Sequence, residues 1–128
     1  MIQSPLRYPG GKTRAISLIK DFMPAHFDEY REPFIGGGSF FVFLRQAYPE
    51  IKCWINDLNP ELYFFWKYAQ ADSENLAREI RKVRKQNKTG RSLFNELAST
   101  HVNTLTAFER AVRFFVLNRI TFSGLVEA

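Results

Sequence analysis

Three glycines, Gly36-Gly37-Gly38, stand between the segment Tyr30-Arg31-Glu32-Pro33-Phe34 and an apolar run that begins at Ser39. Glycine has no Cβ and accepts φ > 0, so such a run lets the backbone pass close to a ligand and aim N–H groups at it. Nineteen residues after Gly38 stands Asp57, at the end of Ile51-Lys52-Cys53-Trp54-Ile55-Asn56. A carboxylate there can accept bonds from both hydroxyls of a ribose, although a turn or helix-capping role before Pro60 is the plainer alternative. A glycine turn after one strand and an acid at the end of the next form the arrangement of a nucleotide-type cofactor site. The full dinucleotide fingerprint is absent. With Gly36 and Gly38 as its first two glycines, the third position is Phe41, which argues against a pyrophosphate-bearing cofactor.

Tyr8-Pro9-Gly10-Gly11-Lys12-Thr13 offers a second set of groups. Its Gly-Lys-Thr ending is that of a phosphate loop, but the required earlier glycine is Leu6 and the upstream residues make a poor strand. An ATPase reading is therefore the weakest. Lys12 can still present a cation to a ligand carboxylate, and Tyr8 an aromatic face; the start of a surface helix is the alternative for both. His26 and His101 are isolated, and no acid–histidine–nucleophile set is visible. Cys53 is the single cysteine, so no intrachain disulfide or cysteine-based metal cluster is possible, and no metal site is expected. A reducing, cytoplasmic setting fits this usage.

These groups need strands and helices to hold them. Apolar spacing predicts a helix over Lys12–Phe22, ended by Pro24, and a strand over Tyr30–Phe34. A helix follows over Ser39–Tyr48, stopped by Pro49, and a second strand over Ile51–Ile55. Asn59-Pro60 is a helix start, with Asn59 as N-cap and Pro60 in the first turn, and that helix runs to about Gln70. Asp72 or Ser73 caps a helix with Leu76, Ile80 and Val83 on one face, broken between Asn87 and Gly90. Ser92–Ala98 is a short helix, and Thr104 opens a long one to about Asn118, followed by a turn or loop. Two strands are too few for a stable parallel sheet, so the expected fold is part of an α/β domain, residues 1–58, followed by a helical segment, residues 59–128. No apolar run reaches membrane-spanning length, and the opening residues are no signal peptide.

The net charge of +5 is uneven. Residues 1–57 carry a net +1 and residues 58–128 a net +4, concentrated in Arg78, Arg81, Lys82, Arg84, Lys85, Lys88 and Arg91 against Glu79. On a helix with Leu76, Ile80 and Val83 inward, Arg78, Arg81, Lys82, Lys85 and Lys88 spread over the exposed side. A solvated helix face is the plain reading. The shortage of acids favours an anionic partner met through phosphate contacts, nucleic acid first.

Four blocks then carry a resemblance: Leu6–Lys12, Glu32–Ser39, Asn56–Leu62 and Phe114–Leu125. In this order they resemble the N-terminal part of a Dam-type DNA adenine-N6 methyltransferase of the D12 class. The resemblance implies a Rossmann-like domain for S-adenosylmethionine with a helical DNA-recognition domain inserted after the second strand. By position it implies that Tyr8, Lys12, Phe34, Gly36, Gly38 and Asp57 line the donor site, with Lys12 near the methionine carboxylate and Asp57 on the ribose. It implies DNA contacts in the block containing Asn118 and Arg119, beside those expected at Arg81, Lys85 and Lys88 from charge alone. The family's Asp-Pro-Pro-Tyr motif does not occur here; Asn59-Pro60-Glu61-Leu62 lacks the second proline and the aromatic. No catalytic residue is therefore assigned. The missing motif is expected beyond Ala128 or in a complementary C-terminal chain, with self-association as another way to cover exposed faces. Two functions follow as expectations: the donor-binding part of a DNA adenine methyltransferase, inactive alone, or a non-catalytic DNA-binding module using the basic helix 76–91.

Overall fold

The computed structural model describes residues 1–10, 12–86 and 89–121. The chain divides into two compact units, Met1–Leu58 and Asn59–Ala128. The whole is a mixed helix–strand protein whose described strands form one small parallel sheet.

The first unit is a β–α–β crossover with an N-terminal arm. Strand β1 spans Glu29–Glu32 and β2 spans Lys52–Ile55, paired in parallel with Glu29 opposite Lys52 and Glu32 opposite Ile55. Pairing continues past the strand ends, where the Asn56 N–H donates to the Glu32 carbonyl and the Ile35 N–H to the Asn56 carbonyl, both at 2.9 Å. In β1 the two-residue period turns Tyr30 and Glu32 inward and leaves Glu29 and Arg31 exposed. Helix α1 spans Ile16–Lys20 upstream of β1, and between the strands α2 spans Ser39–Ala47 after the glycine turn. Helix α2 buries Phe40, Phe41 and Leu44, and these join Leu6 and Ile35 as the unit's buried apolar residues. The arm is tied to α2 by paired bonds between Ile2 and Gln46, at 2.7 and 2.8 Å.

The second unit consists of helices α3 (Pro60–Ala71), α4 (Ser73–Gln86), α5 (Gly90–Ser99) and α6 (Ala107–Ile120). The Asn59 side chain accepts from the Glu61 N–H at 3.0 Å and Pro60 occupies the first turn of α3, as the sequence predicts. Helix α6 packs against the other three. It is buried on several sides because Ala111, Val112, Phe114, Val116 and Leu117 all lack solvent contact or nearly so. Phe65 of α3 stacks on Phe115 with ring centroids 5.5 Å apart. A partly buried ion pair links α3 to α6: Arg110 Nε donates to Glu61 Oε1 at 2.8 Å, and its Nη2 donates to the same oxygen.

Three expectations need correction. The helix over Lys12–Phe22 is instead a 3-10 turn, Lys12–Ala15, followed by α1, and it ends at Lys20; Phe22 lies 81% exposed. Thr104 does not start the last helix. It lies in a 3-10 turn, Val102–Thr104, and Thr106 is the N-cap, because Glu109 completes a capping box with it. Asn118 is not in a loop: α6 continues through it to Ile120, and its side chain is 1% exposed. Residues 122–128 of the expected loop lie outside the described residues.

Candidate donor-binding site and basic face

The glycine turn is shaped by a side chain from the arm. Tyr8 lies over Gly36 and Gly37 so closely that a Cβ added at Gly36 would stand 2.9 Å from the Tyr8 ring, and one at Gly37 only 2.7 Å from the Tyr8 Cβ. Gly36 and Gly38 also hold φ of +50° and +66°, which L-residues with side chains rarely adopt. The turn is closed from within by the Gly38 N–H donating to the Ile35 carbonyl at 2.8 Å. From the arm, the Ser4 hydroxyl donates to the Gly37 carbonyl.

Asp57 meets this turn directly, since its Oδ2 accepts from the Gly36 N–H at 2.8 Å. The acid at the end of β2 and the turn after β1 are thus one hydrogen-bonded unit, across strands paired side by side. Lys12 is brought to the same place by the 3-10 turn. Its ammonium, on a side chain 51% exposed, donates to Glu32 Oε1 at 2.9 Å. Glu32 is buried, and its other oxygen accepts from the Tyr30 hydroxyl at 2.6 Å. Burial drives the Tyr30 phenol pKa far up, and the Glu32 carboxylate raises it further, so the O–H remains a donor.

Tyr8, Gly10, Lys12, Glu32, Phe34, Gly36 and Gly38 border a pocket of about 60 Å³. That is room for a few waters, so these residues make a wall that a larger ligand would lie against. Phe34, 73% exposed, projects beside it. Structure therefore gathers Tyr8, Lys12, Phe34, Gly36 and Gly38 around one pocket, with Asp57 bonded to its turn. Sequence reading missed Glu32 and Tyr30 as site groups. Their signal was an acid and a phenol two residues apart on one face of a strand that runs into a glycine turn.

The fit of a nucleoside donor with an amino-acid end can be tested on these groups. Gly36–Gly38 present no side chain, Tyr8 covers Gly36 and Gly37, and Asp57 brings a carboxylate whose Oδ2 is held by the Gly36 N–H. Lys12 has three N–H donors of which one is engaged by Glu32. The donor set fits.

In the second unit, Arg81 and Lys85 lie on the exposed side of α4, as do Arg78, Lys82 and Arg84. Arg119 is exposed in α6, whereas Asn118 beside it is buried and so turned away from solvent. Lys88 lies outside the described residues. Among those residues no group of three or more His, Cys, Asp or Glu could hold a metal ion, and no helix is long and apolar enough to cross a membrane.

The sequence model of the D12 class N6 adenine-specific DNA methyltransferases matches residues 8–128. Curated relatives include "Type II methyltransferase M.MjaIII" of Methanocaldococcus jannaschii, 29% identical over 94% of this chain and 46% of its own length. "Retron Ec67 DNA adenine methylase" of Escherichia coli is 31% identical over 94% of this chain and 41% of its own length. The "DNA adenine methylase" of Serratia marcescens is 28% identical, with 94% and 43% covered. The chain spans less than half the length of each of these relatives.

Proposed function

Because the chain belongs to the D12 class of N6 adenine-specific DNA methyltransferases, we propose that Met1–Leu58 is the donor-binding part of a Rossmann-like domain for S-adenosylmethionine. On this reading Asn59–Ala128 is a helical segment that meets double-stranded DNA. The observation that carries the reading is the direct bond between Asp57 and the Gly36 N–H, which joins the ribose-type acid to the glycine turn in one rigid corner.

Bound there, S-adenosylmethionine would supply a sulfonium-borne methyl group for transfer to the N6 amine of adenine. The chain's own contribution is to hold and orient. Asp57 offers its carboxylate to the ribose hydroxyls. The turn Gly36–Gly38 presents backbone without side chains, and Tyr8 packs against it and lines the same pocket. Lys12 directs its remaining N–H donors to a carboxylate, steadied by Glu32 from the buried side, and Phe34 lends an exposed aromatic face. Orientation of this kind lowers the barrier by converting an encounter into a positioned step. What the 128 residues do not contain is the Asp-Pro-Pro-Tyr set expected to hold the acceptor amine. The expected activity is therefore donor binding without appreciable transfer. Arg81, Lys85 and Arg119 are the described cations assigned to DNA.

Calorimetry with S-adenosylhomocysteine tests the reading. It predicts one binding site, weakened at least tenfold in Asp57→Ala. Equal affinity in the variant, or none in the unaltered protein, would remove the assignment. The alternative, a DNA-binding module with no donor site, predicts duplex binding indifferent to S-adenosylmethionine and lost in Arg81→Ala/Lys85→Ala. It draws on the same exposed cations of α4.

A further inference from the structure

The cations of α4 are not equivalent. Lys82 Nζ lies 2.7 Å from Glu79 Oε1 and Arg78 Nε lies 3.6 Å from it, while Arg78 Nη2 also donates to Asn75 Oδ1. Arg81, Arg84 and Lys85 have no ion pair among the described residues. The contacts, not the angular positions, separate the two groups. With about 100° per residue, Glu79 stands on one flank of the exposed side, next to Lys82. Arg78 and Lys85 lie near the centre, and Arg81 and Arg84 towards the opposite flank. Arg81 and Lys85 are separated by about 6 Å along the axis, a spacing that suits neighbouring phosphates of one strand. The other acid near this side, Glu74 in the first turn, makes no ion pair among the described residues.

We propose that Glu79 divides the cations of α4 into two sets. Arg81, Arg84 and Lys85 take duplex phosphates, and Arg78 and Lys82 are withheld from them by the Glu79 carboxylate. This rests on the reading of Asn59–Ala128 as a DNA-binding segment and adds a limit on its affinity. Phosphate contacts strengthen binding to every sequence alike. Two tethered cations lower that indiscriminate part and leave more of the discrimination to base-reading groups. The tether also places a negative charge at the edge of the phosphate-binding surface, which disfavours extra backbone contacts on that flank.

The test is fluorescence anisotropy of the 128-residue protein with a random-sequence duplex of about 20 base pairs, between about 50 and 200 mM NaCl, where log K falls by about 0.9 per log unit of salt for each phosphate neutralised. Three working cations predict a slope near −2.7 from α4, and five a slope near −4.5. Glu79→Gln is expected to steepen the slope by about one to two units and to tighten low-salt binding roughly threefold or more. Arg78→Gln/Lys82→Gln is expected to leave the original slope in place and to abolish the gain from Glu79→Gln. Arg81→Gln/Arg84→Gln/Lys85→Gln is expected to flatten it. An unchanged slope in Glu79→Gln overturns the proposal. So does a loss in Arg78→Gln/Lys82→Gln equal to that of the triple variant. Absence of salt-dependent binding by the unaltered protein would instead refute the DNA-binding reading itself, and the proposal with it.

Discussion

Gly36→Ala should destabilise the first unit by about 2–3 kcal/mol, in two separable parts. Gly36 holds φ = +50°, and a side chain in the left-handed region costs roughly 1–2 kcal/mol. The new Cβ would also stand 2.9 Å from the Tyr8 ring. Because Tyr8 is 44% exposed, its ring can swing into solvent, so the steric part belongs at the low end for overpacking, about 1 kcal/mol. Gly10 provides an internal control: its φ is +73°, but nothing lies within 4 Å of a Cβ added there. Gly10→Ala should therefore show conformational strain alone, about 1–2 kcal/mol. In a Tyr8→Ala background the penalty of Gly36→Ala should fall to the same value, a coupling of about 1 kcal/mol. Amide hydrogen exchange at Ile35 and Asn56, whose N–H groups bond across the strand ends, reports this unit's opening directly. A 2–3 kcal/mol loss speeds their exchange about thirtyfold or more, at 1.4 kcal/mol per tenfold. Equal penalties for Gly36→Ala with and without Tyr8 would refute the claim that Tyr8 packs the turn.

Further outcomes are expected elsewhere. Arg110→Ala should cost about 3–5 kcal/mol in the second unit by stranding the buried Glu61 carboxylate, measurable by urea denaturation. Thr106→Ala should cost about 1 kcal/mol through loss of the capping box. Tyr30 should resist alkaline titration: its folded pKa lies above the unfolded value, so the stability it confers is complete below about pH 10 and declines as pH rises beyond it. Ultraviolet absorbance from pH 9 to 12 should show one tyrosine failing to ionise while the protein stays folded, and Tyr30→Phe should remove that silent group. Glu32→Gln should weaken S-adenosylhomocysteine binding less than Asp57→Ala does, because Glu32 acts through Lys12.

Local chemistry made much of the fold legible. The turn at Gly36–Gly38, the break at Pro49 and the Asn59-Pro60 cap each depend on a few adjacent residues, and each is found where the sequence places it. Errors arose where two local signals competed. Thr104 and Thr106 can both cap a helix, but only Thr106 has Glu three residues later to reciprocate. Leu18 and Phe22 fit an α-helical stripe, yet the chain enters through a 3-10 turn and leaves the helix at Lys20, so both stay exposed. Asn118 looked like a terminator, but nothing around it stops α6, and the helix carries it into the core. Contacts between distant positions were beyond reach. Lys12 meets Glu32 across 20 positions and Glu61 meets Arg110 across 49. The pairing of Glu79 with Lys82, by contrast, has helical i,i+3 spacing and is legible in the sequence.

Amide chemical-shift mapping with S-adenosylhomocysteine decides whether the glycine turn and Asp57 bind the methyl donor. Saturable shifts are expected, centred on Tyr8, Lys12, Gly36, Gly38 and Asp57, with α4 and α6 unmoved and the response abolished in Asp57→Ala. Shifts centred in the helical unit, or none at the glycine turn, would contradict donor binding there.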